Sequence, residues 1–180
     1  MSKTIQLIKD YFPDVKKVGI IYNAGEQNAV VNATKAKEAI SSLGLEPVEV
    51  TIANGNEVKQ AAETLVSKKI QAFYIPKDNT VVAALESVIQ VAEQNKIPLF
   101  VGEGDSVKRG GFASYGIEYF DLGYRTGEMA ADILLNGKKP TEIPVEFPKN
   151  LELVINLKAA KAQGIEVPEE LRKNAVKVIE

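Results

Sequence analysis

The sequence contains no histidine, no cysteine and no tryptophan among its 180 residues. Without imidazole or thiol there is no ordinary near-neutral general base, no thiolate nucleophile and no usual zinc site. No metal or cofactor is therefore expected. The lack of cysteine leaves the redox compartment open. Long hydrophobic runs are missing as well, since nothing approaches the roughly 20 apolar residues of a membrane span. An excess of either charge is also missing. A formal net charge of −2 supplies no basic surface for nucleic acid or for an anionic membrane, and neither partner is expected. The opening Met1-Ser-Lys-Thr-Ile starts a helix rather than a secretory leader. As written, the chain is expected to stay in the cytoplasm where it is made.

What is present is a regular alternation of short apolar strands and amphipathic helices. Apolar residues make up 45% of the chain, enough to fill the core of one domain of this length. Strands are predicted at 17–22, 47–52, 72–75, 97–101, 112–117 and 151–156. The first is apolar on both faces, as buried parallel strands are. Between them, Ala29, Ala33, Ala36, Ile40 and Leu43 form one helical stripe that stops at Gly44. Val58, Ala61, Ala62, Leu65 and Val66 form a second behind an expected cap at Asn56, and a third helix runs over 81–94 behind Asn79. A turn is expected over 105–111 and a helix over 121–135. Two short helices close the chain. Strands joined by single helices imply right-handed crossovers and a three-layer, doubly wound, mainly parallel α/β sheet of flavodoxin-like form. The helix at 121–135, with Leu122, Thr126, Met129, Ile133 and Leu134 on one stripe, is expected to pack on that sheet, in this chain or in a partner.

A polar loop follows each of the first four strands, and in an open parallel sheet such loops gather at the ligand-binding edge. Catalytic versions of this fold want residues that are absent. After the first strand stands only Gly25 beside Glu26, not G-x-G-x-x-G, and a charge there repels a pyrophosphate. The clustered Asp of a receiver domain and the Ser- and Thr-rich loop of a flavodoxin are missing. So is the G-x-S-x-G of a hydrolase. The chemistry left is that of holding a small molecule, and no enzymatic activity is expected. The candidate ligand residues are Asn23, Glu26, Asn28, Asp78, Asn79, Gly102 and Asp105. Each has a plainer use. Asn28 and Asn79 stand where helices begin, and capping alone accounts for them, although free N–H groups there also suit a carboxylate. Asp78 and Asp105 suit an α-ammonium or an Asx-turn equally. Glu26 and Glu103 read first as solvated. Gly102, Gly104, Gly110 and Gly111 read as left-handed turns, with close approach to a ligand open to the first two. Tyr22, Tyr74, Phe73 and Phe100 read as core. Asn32-Ala-Thr34 fits a glycosylation sequon but falls inside a helix.

Several ordered segments carry a resemblance. They are Val18-Gly-Ile-Ile-Tyr-Asn23-x-Gly25-Glu26-x-Asn28, Tyr74-Ile-Pro76-x-Asp78-Asn79-Thr80, Gly102-x-x-Asp105-Ser106-Val-Lys-Arg-Gly110 and Leu122-Gly123-x-x-Thr126-Gly127-x-Met129-Ala130. With Leu151-Glu-Leu153 and Asn156-Leu-Lys-Ala-Ala160, they resemble the second lobe of ABC-transporter solute-binding proteins of the type I periplasmic-binding fold, in the group for tryptophan and related amino acids. The resemblance implies a small amino-acid ligand, aromatic amino acids among the candidates, an ABC permease as partner and an extracytoplasmic setting for the parent family. It also implies that the signal and first lobe are absent and that 1–180 forms a single lobe, one that binds weakly alone and self-associates as a homodimer. The helix at 121–135 corresponds to one that packs on the first lobe in that family. The other role left open is an engineered or reconstructed structural lobe that binds nothing.

Overall fold

In the computed structural model, which describes residues 1–148 and 150–180, seven strands form one sheet. They are β1 (Lys17–Asn23), β2 (Glu46–Ile52), β3 (Ala72–Ile75), β4 (Leu99–Val101), β5 (Ala113–Ile117), β6 (Leu151–Asn156) and β7 (Lys177–Ile179), in the order β2-β1-β3-β4-β5-β6-β7. All neighbours are parallel except β5 and β6. The expected mainly parallel α/β sheet is present. β7 is an addition, since only helices were expected at the end of the chain.

Alternation along the strands divides the core into two faces. Val18, Ile20, Tyr74 and Phe100 face one layer, built from α1 (Ser2–Tyr11), α2 (Gln27–Ser42), α8 (Leu157–Ala162) and α9 (Glu169–Asn174). Ile21, Phe73, Ile75 and Leu99 face the other, built from α3 (Val58–Ser67), α4 (Asn79–Ala83), α5 (Leu85–Asn95) and α6 (Gly104–Arg109). Phe12, Phe100 and Phe112 pack edge to face with centroids 5.4–5.9 Å apart, pinning the end of α1 beneath β4.

Several local expectations change. The helix over 81–94 is two helices, broken at Ala84, which caps the second. The expected turn over 105–111 is mostly α6, whose start is held by Glu103. Asn28 lies within α2 rather than capping it, since the chain enters that helix from Glu26. Asp78, not Asn79, caps α4, and Asn54, not Asn56, holds the short turn before α3. A shift of one or two residues decides these cases, because only a side chain in extended backbone can reach forward to the N2 or N3 amide.

Within this chain α7 (Tyr119–Leu134) has no buried residue and does not pack on the sheet, so of the two expected placements only the one against a partner stays open. The reason is topological. β5 and β6 are antiparallel neighbours, so the chain between them needs no crossover helix. It leaves at Ile117, runs out along α7 and returns through 140–148. A forked ion pair from Arg125 to Glu146, at 2.8 and 2.5 Å, ties helix to returning strap. Between them lies a groove of about 530 Å³ lined by Leu122, Met129, Val145 and Phe147.

Candidate functional site

The carboxyl ends of β1 and β3 are joined by a network of loop side chains. Asp78 is 2% exposed. Its Oδ1 accepts the Val81 N–H at 2.8 Å and its Oδ2 accepts the Asn23 N–H at 2.6 Å. Asn23 in turn accepts the Gly25 N–H at 2.8 Å and donates through Nδ2 to Thr80 Oγ1 at 2.9 Å. Glu26 completes the link. It accepts from the Thr80 hydroxyl and backbone N–H and, at 2.9 Å, from the Asn79 amide. The Thr80 hydroxyl holds the Glu26 carboxyl below its ordinary range, outweighing the opposing effect of burial, with a lesser contribution from the Asn79 side chain.

The loops after β3 and β4 meet through glycine. A Cβ on Gly102 would lie 2.9 Å from the Lys77 amide nitrogen and 3.2 Å from the Pro76 carbonyl carbon. Of the four glycines in this region, only Gly110 has a positive φ, at 138°. Close approach of backbone, rather than a left-handed turn, is what requires glycine at 102.

Beside these loops, on the face of α1 and α2, lies a cleft of about 780 Å³. Its wall includes Gln6, Asn32, Lys35, Tyr74, Lys77 and Tyr115, and Gly102 stands at its edge. Asn32 donates to the Lys77 carbonyl at 3.0 Å, fixing the loop after β3 to α2. The Lys77 ammonium lies 5.7 Å from the centre of the Tyr119 ring and makes no ion pair among the described residues.

Of the seven candidate ligand residues, Asn23, Glu26, Asp78 and Asn79 come together as a bonded network, and Gly102 alone lines the large cleft. Asn28 is exposed on the first turn of α2. Asp105 pairs with Lys108 at 2.5 Å, beside a separate hollow of about 210 Å³. Tyr74, Lys77, Asn32 and Tyr115 were not picked as site residues. For two of them a signal existed: Lys77 sits inside the Pro76–Thr80 loop, and Asn32 lies one helical turn beyond Asn28. Among the described residues no cluster of His, Cys, Asp or Glu is placed to hold a metal ion, and no helix is long and apolar enough to cross a membrane.

The chain is 38% identical over 162 residues to a tyrosine-binding protein of Clostridioides difficile, covering 90% of this chain and 46% of that protein. A conserved domain protein of Vibrio cholerae superposes with a TM-score of 0.88 at 36% identity, covering 98% of this chain and 59% of that one. An ABC domain of Streptococcus pneumoniae in complex with L-Trp superposes with a TM-score of 0.86 at 31% identity, over 99% of this chain and 60% of that one. The chain thus spans about half the length of the relatives it matches. A family model for ABC transporter substrate-binding proteins matches residues 1–179, and the chain belongs to that family.

Proposed function

We propose that this chain is one lobe of an extracytoplasmic substrate-binding protein that delivers a small amino acid, preferably an aromatic one, to an ABC permease. The observation that carries this role is the cleft at the carboxyl edge of a parallel sheet, with its loops already locked by Asp78, Asn23 and Glu26. Sites in open α/β sheets lie at this edge, and a preformed wall lowers the ordering cost of binding. The tyrosine-binding relative and the L-Trp complex supply the ligand class. The chemistry is non-covalent, as befits a family of binding proteins.

Asn23, Glu26, Asp78 and Asn79 act on the ligand chiefly by shaping that wall. Gly102 lets two loops close on it, while Asn28 and Asp105, which lie outside the cleft lining, have no part in the proposed wall. A single lobe provides one wall where a two-lobed binder closes from both sides and buries about 70–90% of its ligand. Losing several contacts of about 1 kcal/mol each weakens affinity by orders of magnitude. Binding by this chain alone is therefore in the high-micromolar range or weaker. Titration with L-tyrosine, L-tryptophan and L-phenylalanine tests the role. Weak saturable binding supports it, and no binding of any of the three at millimolar concentration removes it. The uncovered face of α7 further supports association of the isolated chain with a second copy.

A further inference from the structure

α7 carries a second apolar face, apart from the one turned to the returning strap. Leu122, Thr126 and Met129 line the groove beneath the strap. At 3.6 residues per turn, Phe120, Tyr124, Gly127, Ala131 and Leu134 fall on the opposite side, with the alternating three- and four-residue spacing of a helix–helix seam. Phe120 is 75% exposed and Tyr124 66%, and their rings stack with centroids 6.4 Å apart. Leu134 and Leu135 stand open to water at the far end. The middle of the face is small, since Gly127 has nothing within 4 Å of where a Cβ would lie and Ala131 follows it. Glycine inside a helix costs stability relative to alanine but lets a second backbone come close.

We propose that two copies of this chain pair through this face, their α7 helices antiparallel about a two-fold axis at Gly127. This mode rests on the self-association proposed above and names its geometry. Antiparallel pairing sets Phe120 over the partner's Leu134, Tyr124 over the partner's Ala131 and Gly127 over the partner's Gly127, so large side chains meet smaller ones along the seam. Parallel pairing would crowd ring on ring at one end and leave a gap at Gly127 and Ala131. Charge selects the same order. Glu118 and Asp121 stand at the start of α7, and Lys138 and Lys139 lie just past its end. Asp121 and Lys139 make no ion pair among the described residues. Antiparallel helices bring these opposite signs together at both ends, and parallel ones would bring like to like. One helix pair falls short of the roughly 1,200–2,000 Å² of a standard interface, so the dimer is a weak, concentration-dependent one.

The test is a charge swap at the axis, read by sedimentation equilibrium. Gly127→Glu and Gly127→Lys each place a better helix former at an open position, so both should melt at or above the wild-type temperature. Each alone should raise the dimer dissociation constant at least about tenfold, because like charges meet at the axis. Mixing the two should restore association. The chain has no cysteine, so introduced thiols report the order of the helices. Phe120→Cys mixed with Leu134→Cys should give a disulfide-linked dimer of the two variants. Phe120→Cys alone linking to itself overturns the antiparallel order. Gly127→Glu and Gly127→Lys that each associate as wild type overturn the seam while self-association stands. A wild type that stays monomeric removes self-association and the seam together, and leaves this face to a different partner.

Discussion

Asp78 reaches from the loop after β3 to the last residue of β1, where its Oδ2 accepts the Asn23 backbone N–H at 2.6 Å while its Oδ1 caps α4 through Val81. One buried carboxylate thereby fixes two neighbouring loops of the ligand edge. Charge-assisted bonds of this kind exceed neutral ones, and losing the acceptor strands two amides. Asp78→Ala should destabilise the fold by about 2–4 kcal/mol in urea unfolding. Asp78→Asn, which keeps one acceptor oxygen, should lose less. Equal stability of Asp78→Ala and wild type would show that water replaces both bonds.

Gly102 offers a cleaner test of shape. Alanine there would press its Cβ onto the Lys77 amide at 2.9 Å, and all three nearest contact atoms, on Lys77, Pro76 and Ile75, are backbone that cannot swing aside. Gly102→Ala should cost about 1–3 kcal/mol and open the cleft edge, weakening ligand binding beyond what the stability loss explains. Gly44→Ala is the contrast, because nothing lies within 4 Å and only its φ of 74° resists a side chain. Its cost should stay near 1 kcal/mol, with ligand affinity unchanged. Thermal melts paired with titration separate the two effects.

Much of this architecture is legible in the residues themselves. Strands such as 17–22 and 72–75 announce themselves by unbroken apolar runs, and the stripe from Ala29 to Ile40 announces α2. Capping is less legible, because whether Asp78 or Asn79 holds the α4 amides depends on which of the two is extended. The placement of α7 is hidden for a deeper reason. The apolar stripe through Leu122 and Met129 shows that a face wants covering but not what covers it. Whether β6 runs parallel or antiparallel to β5, which decides the matter, leaves no mark on the helix. Tyr74 is similar: alternation puts it on a face, but only the three-dimensional packing shows that its hydroxyl finds no partner among the described residues.

The Glu26 carboxyl, depressed by the Thr80 hydroxyl and the Asn79 amide, sets a pH dependence with a defined sign. A carboxyl whose folded pKa lies below its unfolded value of about 4.3 contributes stability that is complete above that value. The contribution is lost as pH falls through the lower folded value. Glu26→Gln should therefore be less stable than wild type at neutral pH, with the gap closing below about pH 4. The group is half-buried and still screened by water, so the gap should be small. Denaturant midpoints across pH 3–7 measure it, and a gap that widens in acid would reverse the assignment.

Self-association follows from what α7 leaves open to water. Leu134 is 80% exposed, Leu135 82%, Val145 86% and Phe147 83%. Val145 and Phe147 line one groove with Leu122 and Met129, and Leu134 and Leu135 add exposed apolar side chains at the end of the same helix; large exposed apolar patches are uncommon on soluble monomers. The isolated chain should dimerise in a concentration-dependent way, readable by light scattering on a sizing column. Leu134→Asp combined with Phe147→Asp should raise the dimer dissociation constant at least about tenfold, since burying one such side chain contributes about 1.5–3 kcal/mol. Neither side chain supports the fold of the sheet, so the melting temperature of the monomer should hold. Amide exchange adds a second reading. Protection of α7 that rises with protein concentration places the interface on this helix. A chain that stays monomeric at high concentration, with α7 exchanging freely, would show that the exposed face does not self-associate.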